Sequence, residues 1–176
     1  MKVNHTVAGR DHPDEPLAGF SQCHLGILSQ LQAFVELPAL QAAAAQARHI
    51  AASTLALFKN EVHEHHVEEE SVLFPAVLRS AAPGEEFSRV QVMVKHLTAE
   101  HRVIESLWKE LEPAVKATAK GKPTDLGRDA VERLVRAYLS HARFEEQHFL
   151  PLAELVLGRN SAHMAALGRS LHLYPA

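Results

Sequence analysis

The amino-acid sequence predicts an all-α fold, an up-down-up-down four-helix bundle followed by a short C-terminal helix. Three observations carry this. Four long segments place apolar residues in steps of three and four, the period of a helix with one buried face. Alternating, β-branched strand patterns with turn pairs are absent. The second and fourth segments carry the same motif, His-x-x-x-Glu-Glu with a late proline, at His65–Pro75 and His141–Pro151.

The chain has 176 residues, 47% of them hydrophobic, which suffices for one domain with a sizeable core. Residues 1–16 hold prolines and histidines without periodicity and read as an N-terminal arm. Residues 17–158 read as the bundle, with breaks expected near Leu37–Pro38, at Pro83–Gly84 and at Gly121–Asp125. Residues 159–176 read as an extension, in which Asn160 or Ser161 caps a short helix through about Leu173. A net charge of −3 with dispersed Lys and Arg gives no case for a nucleic-acid partner. No apolar run approaches the roughly 18 residues that span a bilayer, and no signal-like segment opens the chain. With Cys23 the only cysteine, no internal disulfide can form. The expectation is a cytoplasmic protein, its oligomeric state open and a dimer among the options.

Each segment carries one apolar stripe. The first lines up Leu17, Phe20, His24, Ile27, Leu31 and Phe34. The second lines up Leu55, Phe58, Val62, His65, Glu69, Val72 and Ala76. The third has Val94, Leu97, His101, Ile104, Trp108, Leu111 and Val115. The fourth has Val131, Leu134, Tyr138, His141, Glu145, Phe149 and Leu152. Each stripe carries a histidine near its middle, and the two halves of the chain repeat one another. Pro75 and Pro151, each ten residues past its histidine, are assigned a role in shaping the helix.

A single histidine on an apolar face is usually a buried residue bonded to a carbonyl. Glu69 and Glu145 argue for more, because buried carboxylates need a counter-charge and no arginine or lysine stands on the stripes. His24, His65, Glu69, His101, His141 and Glu145 are therefore the expected metal ligands. Imidazole with carboxylate suits iron, manganese, zinc or nickel, and two carboxylates can bridge two ions. Ferritin-like di-iron bundles place Glu before His at three residues, the reverse of the order here.

These residues resemble the hemerythrin-like HHE cation-binding domain, bacterial type, over residues 17–157. The resemblance implies two iron ions with a bridging oxo, hydroxo or water, with zinc or manganese as alternatives. It also implies a small diatomic ligand, dioxygen or nitric oxide, in sensing, scavenging or iron homeostasis. A di-iron enzyme (peroxidase, nitric oxide reductase or iron donor for repair) and a structural metal bundle are the competing readings. Oxygen-carrying members have a further histidine where this chain has Leu97, and an aspartate at a five-residue step where this chain has Glu145 at four. Glu105, His66 and Tyr138 are candidates for an additional ligand or a supporting contact. Glu105 and His66 read more simply as surface or supporting residues, and Tyr138 as core.

Overall fold

In a computed structural model of the chain, described for residues 16–159, every regular element is helical. The expected arm before Pro16 and the expected helix 161–173 lie outside the described residues. Helix α1 spans Pro16–Leu57, α2 His63–Glu68, α3 Phe74–Ser80, α4 Glu85–Ala119, α5 Arg128–Phe144 and α6 Leu150–Gly158. Wider π-helical turns join α1 to α2 at Phe58–Val62, α2 to α3 at Glu69–Leu73 and α5 to α6 at Glu145–Phe149.

The expected break near Leu37–Pro38 is absent: α1 runs through Pro38 without interruption. An internal proline removes one hydrogen bond and costs about 3 kcal/mol. The alanine-rich run after it has the highest helix propensity of any composition and carries the helix on. Pro113 is likewise inside α4. The other breaks fall where expected. At the first, Gly84 has φ +104° and ψ −130°, a conformation open only to glycine, and the Glu86 carboxylate accepts the Ala82 N–H at 2.7 Å across the turn. At the second, Gly121 has φ +65° and closes α4. The N–H of Lys122 bonds the Ala117 carbonyl and that of Gly121 the Thr118 carbonyl, both at 2.9 Å, which satisfies two orphan carbonyls of the last turn.

The chain divides into two compact units, Met1–Ala45 and Gln46–Ala176. In the first, the described side chains of α1 are exposed, Leu25, Leu31 and Phe34 among them. In the second, three helical rods, numbered second (residues 46–80), third (85–119) and fourth (128–158) after the sequence segments that form them, pack around two apolar clusters. One cluster joins Leu73, Phe74 and Val77 to Val90 and Leu97, and to Phe149, Leu152 and Val156. The other joins Ala51 to Ile104, Leu111 and Val115, and to Leu134. The rods at 46–80 and 128–158 run from the second cluster to the first, while 85–119 runs the other way, so neighbours alternate in direction. Between the clusters lies a layer of buried polar residues: His66, Glu69, His101, His141 and Glu145.

The prolines explain two of the π-turns. A proline ring clashes with the carbonyl four residues earlier and leaves it without a donor. For Pro75 that carbonyl belongs to Ser71, and for Pro151 to Gln147. Each is the middle residue of a π-turn. Widening the helix there lets both rods continue past their prolines, and it happens at the carboxylate of each repeated motif.

Candidate metal centre

Consecutive residues on a helix point about 100° apart, so His101 on α4 faces the centre of the second unit while Glu100 and Arg102 turn toward its neighbours. His101 is fully buried. Its Nδ1 lies 2.8 Å from Oε1 of Glu70, and Arg102 pairs with the same glutamate's other oxygen. Arg102 also donates to both oxygens of Glu105 at 2.7 Å. His141 on α5 repeats the arrangement: its Nδ1 lies 3.3 Å from Oε2 of Glu100. A carboxylate only accepts, so in both pairs the ring donates from Nδ1 and presents a bare Nε2 inward.

Those inward nitrogens face carboxylates without an aligned hydrogen bond. Among the described residues, the buried side-chain atoms without a hydrogen-bond partner are Nε2 of His101 and of His141, both nitrogens of His66 and both oxygens of Glu69. His101 Nε2 comes within 3.2 Å of Glu69 Oε2, and His65 Nε2 within 3.4 Å of Glu69 Oε1, but neither is aligned as a hydrogen bond. Orphaned buried groups cost about 1–3 kcal/mol each, more when charged. A cluster of them, with lone pairs converging, is the donor set of a cation site. Two triads have geometry to match. One nitrogen each of His66, His101 and His141 lie within 4.8 Å of one another, and so do donor atoms of His65, Glu69 and Glu145.

Of the expected ligands, the second unit brings together His65, Glu69, His101, His141 and Glu145. His24 lies in the first unit and is exposed. At its histidine, the stripe of the second rod is turned by one residue. The expected inward position is His65, which is 47% exposed, while His66, read as a surface or supporting residue, is buried at 1%. The π-turn at Phe58–Val62 just before this pair adds a residue to one turn and rotates the helix at His65 and His66, while Glu69 further on stays buried as expected. That turn has no proline after it, and the repeat places Ala142 opposite His66, so neither spacing nor symmetry signalled the change. The His66 ring stacks on His101 at 3.9 Å between centroids. Glu105 comes within 4.0 Å of His66 Nδ1 while remaining partly exposed. Tyr138 is half-buried, its ring 6.0 Å from that of His141. Burial, reinforced by the charges of Glu69 and Glu145, raises its pKa and keeps the hydroxyl a neutral donor.

The layer's electrostatics are those of a site short of positive charge. Burial, and then the nearby Glu69, push the Glu145 carboxyl up to about 9. For Glu69 burial also opposes charge, but the proximity of His101 and Glu145 prevails and lowers it to about 2. Two close buried carboxylates cannot both ionise, and the pair holds one proton through the neutral range. Burial, then the charge of His101, lowers His66 to about 3, so it is a neutral donor of lone pairs. Burial likewise lowers His141. For His101 burial opposes charge, but Glu69 and Glu70 outweigh it and raise the pKa.

These shifts make stability depend on pH. Unfolded, both carboxyls ionise above about 4.5; folded and metal-free, the pair retains a proton up to about 9. The folded state therefore binds one more proton across that window, and its stability falls as pH rises. The lowered histidines act only below about 6.5, and above pH 7 the raised His101 works in the same direction as the glutamate pair. Metal-free protein is expected to lose Tm from pH 7 to 9, and metal-loaded protein to lose much less, because a cation replaces the shared proton. A metal-free Tm that holds or rises across that range contradicts the shared proton.

Beside the layer, a cavity of about 320 Å³ is lined by apolar Leu55, Phe58, Val62, Ile104 and Trp108 together with Lys59, Glu105, Glu112, His63 and His66. Phe58 and Trp108 stack at 4.0 Å across it. No helix among the described residues is long and apolar enough to cross a membrane.

Comparison with known proteins gives one finding. A family model described as the hemerythrin HHE cation binding domain matches residues 16–153. Neither the curated proteins nor the solved structures contain a match to this chain.

Proposed function

Because this chain belongs to the hemerythrin HHE cation-binding family, we propose that its buried layer holds two iron ions and binds a small diatomic ligand, dioxygen or nitric oxide. The observation that carries this reading is the convergence of six buried side-chain atoms without a hydrogen-bond partner on Glu69, His66, His101 and His141, each residue offering at least one lone pair. Such a set is costly when empty and is what a pair of cations requires.

In this reading Glu69 and Glu145 would supply the carboxylate donors. His101 and His141 would bind through Nε2, the nitrogens left bare by their outward hydrogen bonds. His65 would complete the set beside Glu69 and Glu145, and His66 would join His101 and His141. Bound iron would supply a redox-active centre with room for an exogenous ligand. The chain's own residues do the rest. Phe74, Leu97 and Phe149 close one end of the layer against water. The apolar wall of the cavity, at Leu55, Phe58, Ile104 and Trp108, offers an uncharged diatomic molecule a route to the His66 side of the layer. Tyr138 can donate a hydrogen bond toward a ligand or a bridging glutamate.

The test is metal analysis with an optical spectrum on protein from iron-replete cells, before and after azide and nitric oxide. Close to two irons per chain are expected, with visible bands that change on adding either ligand. Full metal content with a spectrum indifferent to both ligands would leave a structural metal bundle and end the ligand-binding reading.

A further inference from the structure

Two glutamates outside the expected ligand set occupy related places. Glu70 comes directly after the ligand Glu69 on the second rod and reaches across to Nδ1 of His101 on the third. Glu100 precedes the ligand His101 on the third rod and reaches across to Nδ1 of His141 on the fourth. Each inward histidine is thus gripped from behind by a carboxylate on the neighbouring rod, one residue from that rod's own inward donor. Glu70 is braced by Arg102, which in turn grips Glu105. Glu100 is braced by His96, whose Nε2 lies 3.4 Å from its other oxygen, and the His96 ring packs edge-on against Phe144 at 4.4 Å. Both braces reach the surface, with Arg102 54% and His96 48% exposed.

Resting on the metal-centre reading above, we propose that Glu70 and Glu100 are positioning residues that hold His101 and His141 in the Nδ1–H tautomer, with Nε2 aimed into the metal layer. An imidazole can present either nitrogen, and rotating it in a packed core leaves a donor with nothing to bond. A fixed carboxylate behind the ring selects the tautomer, sets the ring plane and makes Nε2 a stronger electron donor. The lateral ladder Glu70–His101 and Glu100–His141 also ties three rods together at the level of the metals, so ring orientation and rod register are set by the same contacts. The shorter grip of Glu70, braced by the permanently charged Arg102, makes it the stronger of the two.

Full-length wild-type protein is compared with E70Q, E70A, E100Q and E100A. Ferrous affinity is measured by competition with a chromogenic chelator, and the imidazole nitrogens of the metal-free proteins are read by ¹⁵N NMR. At alkaline pH, where both imidazoles are neutral, wild type is expected to show His101 and His141 as Nδ1–H tautomers. Each alanine variant should lose about 10–100-fold in ferrous affinity, the range for lost outer partners, and shift its own histidine toward Nε2–H. Each glutamine, which keeps an acceptor oxygen, should retain the tautomer and lose less, so the proposal stays testable if an alanine variant fails to fold. Glu70 variants should fall further than Glu100 variants. Affinities unchanged while wild type binds iron would overturn the proposal. So would an affinity loss with both tautomers unmoved, which would reflect net charge alone. If wild type binds no iron, the metal reading fails, and the NMR of the metal-free proteins still decides the proposal.

Discussion

Glu69→Ala is expected to reduce bound iron from about two ions per chain to well below one, because metal affinity depends on every deprotonated donor of a closed set. Glu69 is the side chain common to both halves of the layer: one oxygen lies 3.4 Å from His65 and the other 3.2 Å from His101. Removing it takes a donor from each triad's neighbourhood at once. The same substitution should lower the stability of the metal-free protein at neutral pH, because His101 and Glu145 favour the ionised Glu69 and hold its carboxyl down to about 2. What should vanish is the increase in Tm on adding iron, which measures binding to the folded state. Metal analysis and paired melts read both effects. A Glu69→Ala protein that keeps its iron and its metal-dependent Tm increment would show that the cation lies elsewhere.

The third and fourth rods could be read from the sequence almost residue by residue. Leu97, His101, Ile104, Leu111 and Val115 are buried as their spacing predicts, and so are Leu134, His141, Glu145, Phe149 and Leu152. Regular helical period sufficed there because no π-turn precedes the histidine. In the second rod a π-turn comes first, and the stripe beyond it departs in part: Glu69 is buried as expected, but His66, Leu73 and Val77 are buried in place of His65, Val72 and Ala76. The decision between a regular and a widened turn rests on tertiary packing, and a periodicity count has no access to it. Prolines were legible only in part. Pro75 and Pro151 do shape their helices, through π-turns around the carbonyls they obstruct, whereas Pro38 sits in continuous helix where a break was expected. The grips of Glu70 on His101 and of Glu100 on His141 were beyond reach altogether. They depend on how far one rod slides along the next, and both glutamates read in isolation as ordinary solvated acids. The one trace of them was the doubled Glu-Glu of the repeated motif, in which Glu70 is the second member.

Phe149→Ala should be the most damaging substitution away from the donor atoms. The ring is completely buried and meets Phe74 edge-on at 5.1 Å, and Phe74 in turn lies parallel to the His101 ring at 6.0 Å. Truncating a buried phenylalanine costs about 3–5 kcal/mol, the lost transfer energy plus the cavity left behind. Against a total stability of about 5–15 kcal/mol, that removes a large share of the margin. Phe149 ends the π-turn that Glu145 begins, so its packing holds the ladder of side chains on which Glu145 is mounted. The cavity would open beside Phe74, the residue that closes the layer next to His101, and would admit water to groups that bind cations well only when dry. Two measurements should therefore move together: the unfolding free energy from urea melts falls by the amount above, and a chelator strips iron faster from the variant while both proteins are folded. Leu155→Ala is the control on the same rod, since Leu155 is 63% exposed and should change stability by less than about 0.5 kcal/mol. A Phe149→Ala protein destabilised by under about 1 kcal/mol would mean that the core does not close around this ring, and the dry layer would then need another seal.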